Sequence, residues 1–172
     1  MPPDGFAEFV AARSPALLRT AWLLTGDTGR SEDLLQTALA ATWRRWRQVV
    51  TGGNPEAYVR RAIVTAYLSW WRRRWRGEVP AASPGEAAAT TGAGDLATEV
   101  AVRDTVRRAL ARLSPQQRAV VVLRYVEDLS VADTADLLGC SPATVKVQAH
   151  SGLRALRADP DLSRSSAEEV GR

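Results

Sequence analysis

The sequence predicts an all-α protein with two small helical domains joined by a flexible linker. Apolar residues recur at helical spacing on both sides of the centre of the chain. The centre, residues 77–97, combines Gly, Pro, Ser, Ala and Thr without apolar periodicity, as flexible linkers do. The second apolar pattern is broken by a turn that is typical of a helix-turn-helix. We therefore divide the chain into domains at 1–76 and 98–158, the linker at 77–97 and a disordered tail at 159–172.

Composition excludes several classes of protein. The 172 residues are 45% hydrophobic and 24% charged, and no apolar run approaches the roughly 20 residues that a membrane helix needs. The first residues show no cationic segment followed by an apolar core, so we expect a cytoplasmic protein without membrane insertion. Cys140 is the only cysteine, which excludes an internal disulfide or a zinc site of paired cysteines, and we interpret it as a small buried turn residue. We expect no metal and no cofactor.

Three or four helices are predicted in the first domain. The first begins near Phe6 and ends where residues 25–27 break the apolar pattern. Ser31 is the predicted N-cap of the second helix, which we extend to about Trp46. Trp43 lies off the apolar face of this helix, so we expect it to contact a neighbouring helix. Residues 51–54 are predicted to form the loop that follows.

The third helix is predicted to begin with Pro55 and to continue to about Trp75. Its residues 57–77 contain six arginines and no acidic residue, with tryptophans interleaved. Arginine-rich composition alone fits either a polyanionic partner or a GC-rich genome. A plain solvated face would mix both charges, so the position of these arginines favours nucleic-acid contact. Trp70 is expected in the core, whereas Trp71 and Trp75 are less easily buried.

The second domain is predicted to hold two helices, one ending at Ser114 and one at the turn 127–128, and then the helix-turn-helix. Ser130 and Ser141 are the predicted N-caps of its two helices, and Gly139 makes the turn between them. The inward face of the last helix comprises Val145, Ala149, Leu153 and Leu156. The outward stripe, which can enter a major groove, comprises Lys146, Val147, His150, Ser151 and Arg154. Spacing and caps alone would also fit a generic helical hairpin.

Three segments, in this order, resemble an extracytoplasmic-function (group 4) sigma factor of bacterial RNA polymerase, of the actinobacterial SigE-like type. The segment SEDLLQTALAATW (31–43) is similar to the helix that grips the polymerase clamp. The segment AYVRRAIVTAYLSWWRRRWRGEVP (57–80) is similar to the promoter −10 segment, and LSPQQRAVVVLRYVEDLS (113–130) leads into the −35-reading domain. The resemblance covers almost the whole chain and implies a non-catalytic subunit that directs transcription initiation. Its partners would be core RNA polymerase, double-stranded and melted promoter DNA and, as a further possibility, an anti-sigma factor.

The resemblance also implies three groups of contact residues. The polymerase clamp would contact Asp33, Gln36 and Thr37. The −10 element would contact Arg61, Thr65, Trp70, Trp71, Arg72, Arg73, Arg74, Trp75 and Arg76. The −35 element would contact Lys146, Val147, Gln148, His150, Ser151 and Arg154.

Several positions depart from the residues that are usual in the family. Thr65 stands where relatives often carry Asn, so direct reading of a flipped −10 base there is in doubt. Thr134 occupies a usually aliphatic position. Val147, Gln148 and Ser151 replace residues that are often Ser, Arg and Arg, so we expect fewer phosphate contacts at the −35 element.

Two other functions fit parts of the sequence, and an enzyme fits least. A stand-alone helix-turn-helix regulator needs a sensor or dimerisation element, and the sequence shows no ligand-pocket signature or extended heptad pattern. A helical interaction protein that never touches DNA leaves the acid-free arginine segment unexplained. One His, one Cys and no phosphate-binding glycine loop provide few groups for catalysis.

Overall fold

The computed structural model of the chain describes residues 3–75 and 95–162, which fall into two compact units within 1–85 and 86–172. The helices of the first unit are α1 (Phe6–Thr25), α2 (Thr28–Trp43), α3 (Trp46–Thr51) and α4 (Pro55–Trp75). The helices of the second unit are α5 (Asp95–Ala111), α6 (Pro115–Val121), a π-helical turn (Val122–Val126), α7 (Val131–Leu138) and α8 (Pro142–Arg157). The predicted all-α class is confirmed, while most of the predicted linker, 77–94, lies outside the described residues.

The predicted end of α1 is correct, but the predicted start of α2 is wrong. Helix α1 ends at Gly26, whose φ of 69° lies in the left-handed region that glycine adopts without steric cost. Helix α2 then begins at Thr28, because the Asp27 carboxylate accepts a hydrogen bond from the Arg30 backbone N–H at 2.8 Å. Ser31, the predicted N-cap, is buried inside the first turn. The earlier carboxylate takes the capping role.

The predicted second helix is two helices, because the chain turns at residues 44–45. Helix α3, which we did not predict, begins at Trp46 and includes Thr51, which we predicted in the loop. The Trp46 ring is buried, its edge meets the Phe6 ring at 5.0 Å, and its Nε1 donates a hydrogen bond to the Asp4 carbonyl at 2.8 Å. The turn therefore allows a tryptophan on α3 to complete the core beside α1.

The core of the first unit lies between α1, α2 and α4. Helix α4 buries Val59, Ile63, Val64 and Tyr67. Trp70 of the same helix, which we expected in the core, is only half-buried. The buried stripe of α4 therefore ends at Tyr67 rather than at Trp70. Other buried apolar residues of this unit are Leu17, Ala21, Leu24, Leu35, Ala38, Leu39 and Val49.

The second unit begins earlier and ends later than we predicted. Helix α5 starts at Asp95 rather than at residue 98. Residues 159–162, which we assigned to a disordered tail, are ordered: the Asp159 side chain is buried, and its carboxylate lies 3.3 Å from Nε of Arg112. This ion pair connects the residues that follow α8 to the residue that follows α5. The remainder of the predicted tail, 163–172, lies outside the described residues.

The helix-turn-helix is built as predicted. Ser130 Oγ accepts a hydrogen bond from the Asp133 N–H at 2.9 Å, and Ser141 Oγ accepts one from the Thr144 N–H at 3.1 Å. Gly139, with φ at 65°, ends α7 in the left-handed conformation. The core cluster of the helix-turn-helix consists of Val120, Ala135, Val145 and Ala149, with Val131, Leu138 and Cys140 packed against it. Cys140 is half-buried rather than buried as predicted.

Two positions of the second unit are closely packed, one on α7 and one on α8. Thr134, at the position that relatives often fill with an aliphatic residue, is fully buried, and its hydroxyl donates to the Ser130 carbonyl at 2.8 Å. Because its polar group is satisfied, the threonine fits the core. Gly152 on α8 faces Val121 on α6 so closely that an added Cβ would lie 2.7 Å from the valine Cγ2.

Among the described helices, none has the length and apolarity needed to cross a membrane.

Candidate nucleic-acid interfaces

The outer face of α4 is exposed, as the sequence predicted. Arg61, Thr65 and Arg72 are spaced by four and seven residues, so they lie on one side of the helix. All three are exposed, and the buried stripe ending at Tyr67 lies on another side. The face that we assigned to DNA is therefore exposed to solvent in the first unit.

The end of α4 carries a cluster of aromatic rings and guanidinium groups. The Trp70 and Trp71 rings meet edge to face, with their centroids 4.9 Å apart. The Arg74 Cζ lies 5.4 Å from the centroid of each ring, and the Arg30 Cζ lies 5.1 Å from that of Trp70. These distances allow cation–π attraction, which holds the rings and the charges in one arrangement. We call these four residues the Arg–Trp cluster.

The Arg–Trp cluster changes what we predicted for its tryptophans. Trp70, expected in the core, is half-buried, and guanidinium groups from two helices lie over its ring. Trp71 is also half-buried, and its buried Nε1 has no hydrogen-bond partner among the described residues. Arg72 and Arg73 are exposed. The Trp75 side chain and Arg76, also predicted at the −10 element, lie outside the description.

A cavity of about 170 Å³ adjoins the Arg–Trp cluster. It brings Asp33 and Thr37, which we predicted to contact the polymerase, next to Arg73, which we predicted to contact the −10 element. Two predicted surfaces for different partners therefore share one cavity. The remaining residues that line it are Leu24, Thr25, Arg30, Leu34, Ala66, Tyr67, Trp70 and Trp71.

The three residues predicted to contact the polymerase clamp are all exposed on α2. Asp33 and Thr37 lie one helical turn apart on the cavity side. Gln36 instead borders a groove beside Phe6 and Trp43. The predicted contact set therefore covers two faces of α2, one beside the cavity and one beside the groove.

One arginine and one set of three arginines in the first unit were not among the predicted site residues. Arg30 reaches the Arg–Trp cluster from α2, forty positions before Trp70, and no spacing rule connects the two. The set of three lies around the turn between α2 and α3. It consists of Arg44, Arg45 and Arg47, all exposed and without an ion pair within the described part of the chain. A signal was present, since residues 34–55 contain no acidic residue.

Trp43 borders this set of arginines. Its ring meets the edge of Phe6 on α1 at a centroid distance of 5.1 Å, so the contact with a neighbouring helix that we predicted is present. The side chain nevertheless remains 41% exposed. The turn between α2 and α3 therefore combines an exposed aromatic ring with unpaired positive charge.

The outer stripe of α8 in the second unit is exposed at every position that periodicity assigned to it. Val147 is 63% exposed, and Gln148, which only the family resemblance added to the −35 set, is half-buried. Helix α8 contains no acidic residue between Pro142 and Arg157. The other exposed residues of the stripe are Lys146, His150, Ser151 and Arg154. We call this set with Val147 the recognition stripe.

Comparisons with known proteins assign both units to one kind of protein. Residues 9–77 match the family model described as Sigma-70 region 2, and residues 103–156 match that described as Sigma-70, region 4. The chain is 40% identical over 152 residues to the RNA polymerase sigma-E factor of Streptomyces coelicolor, covering 88% of this chain and 84% of that protein. It is 30% identical over 146 residues to the ECF RNA polymerase sigma factor SigL of Mycobacterium tuberculosis, covering 82% and 80%.

A solved structure has the same fold. The chain is similar, with a TM-score of 0.68 and 25% identity, to a chain in the co-crystal structure of the sigma factor RpoE with the anti-sigma factor NepR from Bartonella quintana. The similarity covers 90% of this chain and 96% of that one.

Proposed function

Because the chain belongs to the extracytoplasmic-function (ECF) group of sigma-70 RNA polymerase sigma factors, which direct promoter recognition, we propose that its two units contact two separate promoter elements. The first unit also binds core RNA polymerase. The observation that carries the proposal is the presence, in one chain, of an acid-free arginine and tryptophan face on α4 and an exposed recognition stripe on α8. The protein is a non-catalytic specificity subunit and acts in the cytoplasm, where the chromosome lies.

The proposed −10 contacts are divided between phosphates and bases. Arg61, Arg72 and Arg73 are exposed, so their charges can approach the DNA backbone. Two guanidinium groups lie over the Trp70 ring and one over the Trp71 ring, so Trp71 is better suited to stack on an unpaired base. Thr65, on the exposed face, offers a hydroxyl rather than the amide that relatives often carry.

Energy limits what the first unit can do alone. Opening roughly ten base-pair steps forfeits about 1.4 kcal/mol of stacking each, on the order of 14 kcal/mol in total. Flipping one base costs only a few kcal/mol, and stacking it on an aromatic ring returns about 1 to 3 kcal/mol. The first unit therefore captures bases in a bubble that core polymerase helps to open and hold.

The proposed polymerase contact is the exposed polar face of α2. Asp33 and Thr37 stand at the mouth of the cavity beside the Arg–Trp cluster, and Gln36 extends the face toward Trp43. A polymerase segment that binds there would lie next to the −10 contacts. An anti-sigma factor is a further proposed partner, since the similar RpoE chain was crystallised with one.

The test is promoter-dependent transcription with purified core polymerase. We expect the full chain to support run-off transcription from at least one promoter of a genomic library, and to co-purify with core enzyme. Asp33→Ala should weaken both, whereas Glu32→Ala, which removes a neighbouring exposed carboxylate on α2, should weaken neither. A chain that binds promoter DNA alone but neither retains core enzyme nor supports transcription is a stand-alone regulator, and the proposal is then wrong.

A further inference from the structure

We propose that Val147 reads a thymine in the −35 element through the C5-methyl group of that base. This inference rests on the proposed role of α8 in the major groove. Val147 is 63% exposed, which makes it the most exposed large hydrophobic side chain in the described part of the chain. It stands among the polar and cationic residues of the recognition stripe, which the proposed role of α8 places against the bases.

The position of Val147 along α8 suits contact with a base. It lies six residues after the Ser141 cap, in the second turn, and recognition helices contact base edges through their N-terminal residues. Arg154 lies seven residues further, about 10 Å along the helix axis, where a long cationic side chain can reach the backbone. Lys146 and His150 flank Val147 on one side of the recognition stripe and Ser151 on the other.

The chemistry of Val147 points to thymine. Valine has no hydrogen-bond donor or acceptor on its side chain, so it cannot read the polar edge of any base pair. In the major groove the thymine methyl is the apolar group that a base presents, and aliphatic side chains contact it. Exchange of thymine for uracil removes this methyl and leaves the pairing edge unchanged.

A structural role does not explain Val147. The apolar residues that hold α8 in the helix-turn-helix, Val145 and Ala149, are buried on another side of the helix. Valine is also a weaker helix former than Lys or Arg, because its branched Cβ restricts its rotamers. A protein-docking patch is equally poorly matched, because the rest of the recognition stripe is polar or cationic.

The experiment uses holoenzyme assembled from core polymerase and the full chain, on a promoter selected from a library randomised at the −35 element. Each thymine of that element, on either strand, is replaced singly by uracil. We expect one replacement to weaken binding about fourfold, the equivalent of one buried methyl group. The same replacement should have no effect on Val147→Ala holoenzyme. Val102→Ala, which truncates an exposed valine on α5, should retain the fourfold loss.

The outcomes separate this inference from the function on which it rests. If base-pair changes in the −35 element weaken binding but no uracil replacement does, or if the uracil effect persists in Val147→Ala, the inference is wrong and α8 still reads the element. If no change of any kind in the −35 element alters binding, the proposed role of α8 fails as well. Circular dichroism of Val147→Ala checks that its α8 is intact.

Discussion

The end of α4 and the recognition stripe of α8 both carry positive charge, but the charged side chains have different surroundings. On α4, Arg74 lies over two tryptophan rings and a second arginine, Arg30, reaches the same cluster from α2. On α8 the stripe alternates one lysine, one histidine and one arginine with Val147 and Ser151. The helix is capped by Ser141, and its buried face packs in the second unit.

This difference indicates a separate role in DNA binding for each of the two surfaces. Clustered arginines attract phosphates whatever the base sequence, so α4 is suited to supply affinity that depends on salt. Side chains of different chemistry along one stripe can distinguish base edges, so α8 is suited to supply preference.

The largest effect is expected from Gly152→Ala, which should disturb the packing of α8, the helix that carries the recognition stripe. The new Cβ would lie 2.7 Å from Cγ2 of the buried Val121, so α6 and α8 must move apart, at a cost of about 1 to 3 kcal/mol. Hydrogen exchange should show less protection in α6 and α8 only. The matched change Gly29→Ala meets ordinary contact at 3.5 Å and should stabilise α2 by up to about 1 kcal/mol. Equal protection in both variants would contradict the close crossing.

Next in size is the combined change Arg72→Ala and Arg73→Ala, which tests the phosphate role of α4. Each lost contact should reduce the slope of log affinity against log salt by about 0.7 to 0.9. Between 50 and 200 mM salt the variant should therefore lose about tenfold less affinity than the parent chain. Arg108→Ala on α5, which removes an exposed arginine that pairs with Asp104, should leave the slope unchanged. An unchanged slope in the double variant would reject these residues as phosphate contacts.

A smaller effect is expected from Arg74→Ala, which removes one guanidinium from the Arg–Trp cluster. Loss of cation–π attraction at a partly exposed site costs about 0.5 to 1 kcal/mol. The emission of Trp70 and Trp71 should change, and the first unit should unfold at lower urea concentration. Arg72→Ala, two residues away and with no cation–π contact to a ring among the described residues, should leave both measurements unchanged. Identical spectra for the two variants would mean that the cluster does not form in solution.

The smallest effect is an acid dependence of α5. Two hydrogen bonds from the Arg107 guanidinium to one oxygen of Asp104, at 2.7 and 3.1 Å, lower the pKa of that carboxyl below its usual value. A lowered pKa gives stabilisation that is complete above about pH 5 and is lost as pH falls through the folded-state pKa. Asp104→Asn should therefore flatten the decline in unfolding free energy between pH 5 and roughly pH 2. An equally steep decline in the variant would show that this ion pair does not contribute to the acid dependence of stability.

Much of the fold follows from local signals, and the failures have local causes too. Helices α1, α7 and α8 were predicted because glycine breaks and serine caps flank clear apolar periodicity. Asp27 and Ser31 both suit an N-cap, and nothing local decides between them. Helix α3 depends on burial of Trp46 against Phe6, forty residues away, so periodicity alone merged it with α2.

The candidate interfaces were predictable where one helix face defines them. Exposure of Arg61, Thr65 and Arg72 and of the recognition stripe followed from helical spacing. The Arg–Trp cluster was not predictable, because Arg30 and Trp70 meet only through packing of α2 on α4. Which residues contact polymerase or DNA stays a prediction.

If α4 supplies affinity and α8 supplies preference, as we claim, substitutions in the two helices should affect competition between promoters differently. Holoenzymes carrying either the Arg72→Ala and Arg73→Ala pair or the Lys146→Ala and His150→Ala pair compete for promoters randomised at the −35 element. We expect the first pair to weaken binding to every promoter while preserving their ranking, and the second to change the ranking. A changed ranking in the first pair, or a uniform loss in the second, would contradict the claim.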